Sequence, residues 1–378
     1  MRSVVLSVVV LLLVGCNGAT AGQPGVAAPP PPPTSAATLT PAPPPTPVPT
    51  SAPVASQPSP TAMPVINVDD MMGMYPQQTV VVATPDKVSA ITLLNHFTRY
   101  RIATNGTAQV SADRGGRWLY LLDEDTPGLR RLRVFDVPTG SERAVLSGVG
   151  DVAPDAHALS VAGVGRVLVL KSDTEHVWVD AYEALTLQPL GPVMEGSGCG
   201  DRLLTSTRRV AIVCLATGQI AVDDLRGTHA EIDGTLANLA ATAMAEDGAL
   251  YVASNDRRLA TVAAGTTTLV SLPWPSEWSG SVVADGLTIA PGGPPQESAA
   301  IAQATDDGAW LRVFATSDVA HRKSLRLAGV PRGGVIALWP FAYYTVETSV
   351  RHVDLTSGSL ETMTEVGADV VPAAVVNG

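Results

Sequence analysis

The chain has 378 residues, a formal net charge of −11 and 46% hydrophobic residues, yet Phe, Trp and Tyr together make up only 4%. So acidic a balance makes phosphate backbones and anionic lipid headgroups poor partners, and no nucleic acid is expected. Its length exceeds a small sandwich and suits one large all-β domain behind N-terminal segments of other kinds.

Residues 1–15 read as an export signal: Arg2 precedes an apolar run from Val4 to Val14 that is too short to span a bilayer as a helix. The run ends in Leu13-Val14-Gly15-Cys16, which resembles the lipobox of bacterial lipoproteins. That resemblance implies that Cys16 begins the mature chain and carries a diacylglycerol on its thiol. The expected location is the extracytoplasmic face of a bacterial membrane, held by lipid and not by a helix. An ordinary signal peptide with an incidental cysteine is the alternative.

Residues 16–65 form a linker of Pro, Ala, Thr, Ser and Val, with no charged residue from Asn17 to Pro64. It has nothing to build a core from. Proline fixes φ and removes donors, so a semi-rigid polyproline-II stalk is expected, reaching at most about 150 Å at roughly 3.1 Å per residue.

From 66 to 378 short β-branched runs alternate with turn signals, and no convincing amphipathic helix appears. Runs of one kind start at Ala90, Leu132, Val177, Ile220, Leu259, Leu311 and Val350, successive starts lying 39 to 52 residues apart. That is the period of a four-stranded propeller blade. Ahead of each lies a second-strand candidate, starting at Val80, Trp118, Val167, Val210, Ala249, Ala299 and Ala342. Seven sets predict a seven-bladed β-propeller, with six or eight blades as alternatives. The phrases GRWLYLL, RVFDVPTG and HVDLTSG resemble the YVTN and quinoprotein-dehydrogenase-like propeller repeats of exported bacterial proteins. The resemblance spans roughly Gln78 to Val376 and implies a fold, not an activity.

Blade one has candidates for its second, third and fourth strands but a poor inner strand in DDMMGMYPQ. An open ring would expose an unpaired edge. We therefore expect Val370 to Val376 to supply that strand, pairing with Val80 to Ala83; Val65 to Val68 is the alternative. The C-terminal segment also resembles GDVAPDAHAL from Gly150, read as the inner strand of blade three.

The segment Ser111-Ala112-Asp113-Arg114-Gly115-Gly116-Arg117-Trp118 resembles the Asp-box of sialidase-type propellers. Here the full pattern occurs once and at a different turn, and no arginine trio or Tyr/Glu nucleophile pair accompanies it. Turn chemistry alone accounts for each residue, with Asp capping the backbone and Gly supplying φ > 0.

Besides Cys16, only Cys199 and Cys214 are cysteines. A two-residue turn centred between Ser206 and Thr207 would set them opposite one another on an antiparallel pair, so a disulfide is expected; metal binding by two thiols without a nearby histidine is the weaker alternative. His96, His157, His176, His229, His321 and His352 are scattered through different blades and read as surface or strand-filling residues rather than metal ligands. The acidic turns Asp123-Glu124-Asp125 and Asp306-Asp307 lack the oxygen spacing of a calcium loop. Trp339, Phe341, Tyr343 and Tyr344 read as strand packing.

Trp274 and Trp278, in SLPWPSEWSG, are the candidate ligand-binding pair, able to stack on a sugar or anchor a partner; packing between blade ends is the competing reading. No phosphate loop, nucleophile elbow or HExxH is present, so no catalytic residue, metal or cofactor is assigned. The expected function is non-catalytic: a lipid-anchored propeller that binds a protein partner or a cell-envelope polymer. An exported propeller enzyme, either a glycan hydrolase or an oxidoreductase subunit, is the alternative, and a channel-facing cluster of carboxylate, Arg or His would mark it. A scaffold within a larger membrane complex is a third reading.

Overall fold

A computed structural model describes residues 78–377, apart from 93–94, 164, 197, 226–227, 233–235, 292–297, 317–320 and 367–370. The signal, Cys16, the linker and Val65 to Val68 lie outside the described residues. Within them every regular element is a strand, and the strands form seven four-stranded antiparallel sheets.

Blade one contains β1 (Gln78–Thr84), β2 (Lys87–Thr92) and β3 (Thr98–Ala103). Blade two is β4 (Gln109–Ala112), β5 (Trp118–Thr126), β6 (Leu129–Asp136) and β7 (Glu142–Val149). In blade three β8 (Leu159–Ala162), β9 (Arg166–Ser172), β10 (Val177–Glu183) and β11 (Pro189–Gly196) follow one another. Blade four runs β12 (Arg202–Thr205), β13 (Val210–Val213), β14 (Ile220–Asp223) and β15 (His229–Ile232). Next come β16 (Leu239–Met244), β17 (Leu250–Ser254), β18 (Leu259–Val262) and β19 (Leu269–Leu272) in blade five. Blade six has β20 (Ser281–Ala290), β21 (Ser298–Thr305), β22 (Gly308–Ala315) and β23 (His321–Leu327). Blade seven has β24 (Arg332–Leu338), β25 (Phe341–Val346), β26 (Ser349–Asp354) and β27 (Leu360–Glu365), and β28 (Val371–Asn377) closes the chain.

Burial follows position in the blade. Second strands are covered on both faces, so β13 (VAIV) and β17 (LYVAS) are buried throughout and read as continuous apolar runs. Fourth strands lie at the rim, and β7 and β19 are largely open to water. Each of the seven second-strand and seven third-strand runs expected from the repeat overlaps the strand assigned to it, extending past its ends by at most one residue among the described residues.

The ring closes through its two ends. β28 is the inner strand of blade one, paired antiparallel to β1 from Gln78↔Asn377 to Ala83↔Val371, with a bulge opposite Val81 and Val82 beside Pro372. A proline lacks the N–H that a central ladder needs, and a bulge accommodates it. The expectation for blade three needs correction. GDVAP is no strand: Asp151 and Asp155 adopt φ of 57°, Pro154 stands between them, and Val152 makes one isolated bridge to Lys171. The inner strand begins only at Leu159.

Deleting Asp369 to Gly378 removes the inner strand of blade one and exposes the buried Val80 to Ala83. The Tm of the whole propeller is expected to fall by more than about 10 °C in scanning calorimetry, as a loss of several kcal/mol requires. A change of a degree or two would show that closure contributes little.

Candidate functional site

In each blade the second-to-third hairpin and the connection to the next blade emerge on the same face, termed the upper face. Inner strands start there and line the central channel. At its mouth, blades three and four are stitched by backbone bonds: His157 N–H donates to the Asp201 carbonyl (2.9 Å) and Leu203 N–H to the His157 carbonyl (2.9 Å). Arg202, the first residue of β12, then donates from Nε to Asp285 Oδ1 (3.0 Å) and from Nη2 to Asp285 Oδ2 (3.0 Å). Its Nη1 donates to the Asp201 carbonyl (2.8 Å).

Asp285 belongs to β20 of blade six, so this pair skips blade five and crosses the space in front of β16. A local distortion makes the reach possible. The β20–β21 register shifts between Val282 and Leu287, and Asp285 adopts a φ of 54°. Gly334 of β24 packs so closely on this bulge that a Cβ there would lie 2.6 Å from the Asp285 carbonyl oxygen. Only glycine fits.

His157 Nε2 lies 3.7 Å from Asp285 Oδ2, and its ring is 59% exposed within the channel mouth. Burial by the surrounding walls, reinforced by the Arg202 guanidinium, pushes the imidazole below its ordinary value, and the Asp285 carboxylate offsets this only in part. The neutral ring therefore dominates at neutral pH. Sequence reading took His157 as a surface or strand-filling residue and did not single out Arg202 or Asp285. The structure brings all three together.

The chemistry left to this cluster is limited. The Arg202 side chain, 12% exposed, spends both faces of its fork on Asp285 and the Asp201 carbonyl. Among the described residues no hydroxyl or thiol hydrogen-bonds His157 to serve as a nucleophile.

Cys199 and Cys214 form the expected disulfide, with Cα atoms 5.3 Å apart. Its register differs from expectation. Ser206 N–H bonds to the Arg209 carbonyl, so the turn centres between Thr207 and Arg208, and continuing the register puts Cys214 opposite Asp201. Moving a hairpin centre by one residue moves the pairing by two, which makes Cys199 a diagonal rather than a direct neighbour. Asp201 adds a further tie, its Oδ2 accepting from Leu215 N–H at 2.7 Å. Although Cys199, Asp201 and Cys214 cluster within 4.8 Å, the bonded sulfurs are not thiolate ligands.

The other residues singled out fall mostly into structural roles. Asp113 caps the β4–β5 turn, accepting from Trp118 N–H (2.5 Å) and Gly115 N–H (3.2 Å), with Gly116 at φ 71°. Asp123 is fully buried and holds Arg131 in a two-point pair. His352 packs against Phe341 with ring centroids 5.0 Å apart, His176 and His229 lie at the surface, and the side chain of His321 is outside the described residues.

Trp278 is 1% exposed and wedged between Trp274 (centroids 5.4 Å, edge-on) and Phe314 (5.9 Å). Trp274 Nε1 donates to the Trp278 carbonyl at 3.0 Å. Trp278 thus takes the packing role weighed against ligand stacking: its ring is core, in the connection between blades five and six. Beside that connection, on the upper face, an open groove of about 550 Å³ is lined by Asn255, Arg257, Ser279, Ser281, Thr305 and Asp306.

No protein-family model and no curated protein matches the chain. Solved β-propellers do. A Bacteroides fragilis protein assigned as a 6-phosphogluconolactonase aligns over 79% of this chain and 97% of its own, with TM-score 0.55 and 10% identity. The dihydro-heme d1 dehydrogenase NirN aligns over 74% of this chain and 61% of its own (TM-score 0.52, 11% identity). Saccharomyces cerevisiae Sqt1 aligns over 80% and 86% (TM-score 0.52, 12% identity). At such identities the likeness shows the fold alone: this chain is a seven-bladed β-propeller.

Two substitutions test these assignments. Asp285→Asn leaves the Arg202 guanidinium without its counter-charge in a nearly closed place and is expected to cost about 1–3 kcal/mol in urea unfolding, much of it recovered in Arg202→Met/Asp285→Asn. Equal losses in the single and double variants would refute the pairing. Trp278→Ala empties a core site and is expected to cost about 3–5 kcal/mol; an unchanged urea midpoint would show the ring to be dispensable for packing.

Proposed function

We propose that this chain is a lipid-anchored, extracytoplasmic β-propeller that binds a protein partner or a cell-envelope polymer without transforming it. The observation that carries this reading is the channel mouth. Its strongest charges, Arg202 and Asp285, satisfy one another in a two-point pair that spans the channel, and so are not free to act on a substrate. The anchor rests on Cys16 and the apolar run before it. A charge-free, proline-rich linker then provides reach from the membrane.

An exported propeller enzyme is the second reading, and one observation favours it: a neutral His157 beside a carboxylate at the channel mouth is the type of cluster that distinguishes such an enzyme. The two readings separate by incubating the full chain with isolated envelope material and analysing soluble products by mass spectrometry. Binding without products supports the non-catalytic reading. Products that disappear in His157→Ala establish the enzyme.

The anchor has its own test. Cys16→Ser is expected to leave the protein unprocessed or released from the membrane fraction on cell fractionation. Unchanged processing and membrane association would remove the lipid from this account.

A further inference from the structure

The groove between blades five and six is built from two hairpins and one connection. The β17–β18 hairpin contributes Asn255 and Arg257, the β21–β22 hairpin Thr305 and Asp306, and the tryptophan connection Ser279 and Ser281. Its floor is held from below. Gly280 (φ 97°) lies so close to β21 that a Cβ would stand 2.2 Å from the Ala304 carbonyl oxygen, and buried Trp278 packs immediately before it. The walls are therefore preorganised, and they do not have to be assembled by a ligand.

In each hairpin one carboxylate is engaged locally and one charged side chain is left over. Asp256 pairs with Arg258 at 2.7 Å and also accepts from the Ser254 hydroxyl, while Asp307 accepts from the Thr305 hydroxyl and from Trp310 Nε1 (3.3 Å). Arg257 and Asp306 make no ion pair or side-chain hydrogen bond among the described residues, although both line the groove. One unspent cation, one unspent anion, an amide and two serine hydroxyls thus share a single concavity.

This set defines a ligand by exclusion and by fit. A lipid or apolar ligand meets a wall that is mostly polar. A polyanion meets Asp306 within an acidic protein, and a metal ion meets only one carboxylate. A chain dense in hydroxyl groups, each both donor and acceptor, matches mixed donors and acceptors, and the volume of about 550 Å³ falls in the usual range for small-ligand sites.

The topology gives such a polymer access. β1 starts at Gln78 on the lower face, whereas the groove opens on the upper face. We propose that the groove between blades five and six binds a neutral oligosaccharide segment of a cell-envelope glycan, through Asn255, Arg257, Ser279, Ser281 and Asp306. This specifies the ligand within the binding reading above and rests on it.

The test uses the full chain in detergent and three probes, maltohexaose, cellohexaose and chitohexaose, titrated by calorimetry. At least one is expected to bind saturably. Arg257→Ala and Asp306→Ala should each weaken it by about tenfold or more, with Tm within about 2 °C because both side chains are exposed and unpaired. Ser281→Trp, which fills the groove, should abolish it. Absence of saturable binding by all three sugars, or binding indifferent to the three substitutions, overturns the assignment. Capture of envelope components by the anchored chain in cells is followed in parallel. Capture that survives Ser281→Trp while no sugar binds leaves the broader binding reading standing and removes the groove from it. Loss of protein capture in Ser281→Trp without sugar binding makes the groove a protein site and equally overturns the glycan. Saturable sugar binding with no membrane association supports the groove and defeats the anchored reading.

Discussion

The antiparallel pairing of β28 with β1 is the constraint on which the remainder of the propeller depends. Seven twisted sheets set radially leave their inner strands short of partners on one side, and only a closed circle limits that exposure. By inserting the C-terminal strand ahead of the N-terminal one, the chain makes its first blade from its two ends. Every inner strand is then held between two neighbours. This is what lets Arg202 of blade four and Asp285 of blade six meet with fixed geometry, since a small opening between any two blades would pull them apart.

Within that ring, glycine and the disulfide act at places where geometry leaves no alternative. Gly334 permits β24 to touch the bulge that carries Asp285, and Gly333 does the same against Val371, where a Cβ would come within 2.2 Å of a valine methyl. The Cys199–Cys214 bond and the Asp201 carboxylate secure the connection immediately before Arg202. A cross-link closing so short a loop contributes on the order of 3 kcal/mol in the chain-entropy picture, and its position makes that contribution local to the channel mouth. The groove between blades five and six, by contrast, sits away from the axis, where two hairpins finish and their charges are not fully used.

How much of this was legible follows from the range of the interactions. Second and third strands are buried on a repeating scale of about forty residues, so their apolar runs announce themselves, and the need for an inner strand in blade one pointed to Val370 to Val376. Inner strands such as β8 and β12 are four residues long and partly exposed, and their pattern is weak. That is why GDVAPD, with its two left-handed aspartates, reads as one from sequence. The disulfide was readable from spacing, but the hairpin centre was not, because Ser206, Thr207 and Arg208 are all acceptable turn residues. The Arg202–Asp285 pair spans 83 positions without any local signature. Trp274 and Trp278 attracted attention as rare aromatics, and rarity does not say whether a ring faces water or Phe314.

Closure also fixes how the first blade bears a load. A pull applied at Gln78 would enter β1, a strand bonded along its length to β28 on one side and to β2 on the other. Because ladder bonds run perpendicular to the strand, a pull along β1 loads them together in shear, where peeling would break them singly. The C-terminal strand thus acts as a mechanical clamp on β1, and a pull applied at Gln78 is distributed over a whole blade before it reaches any single contact.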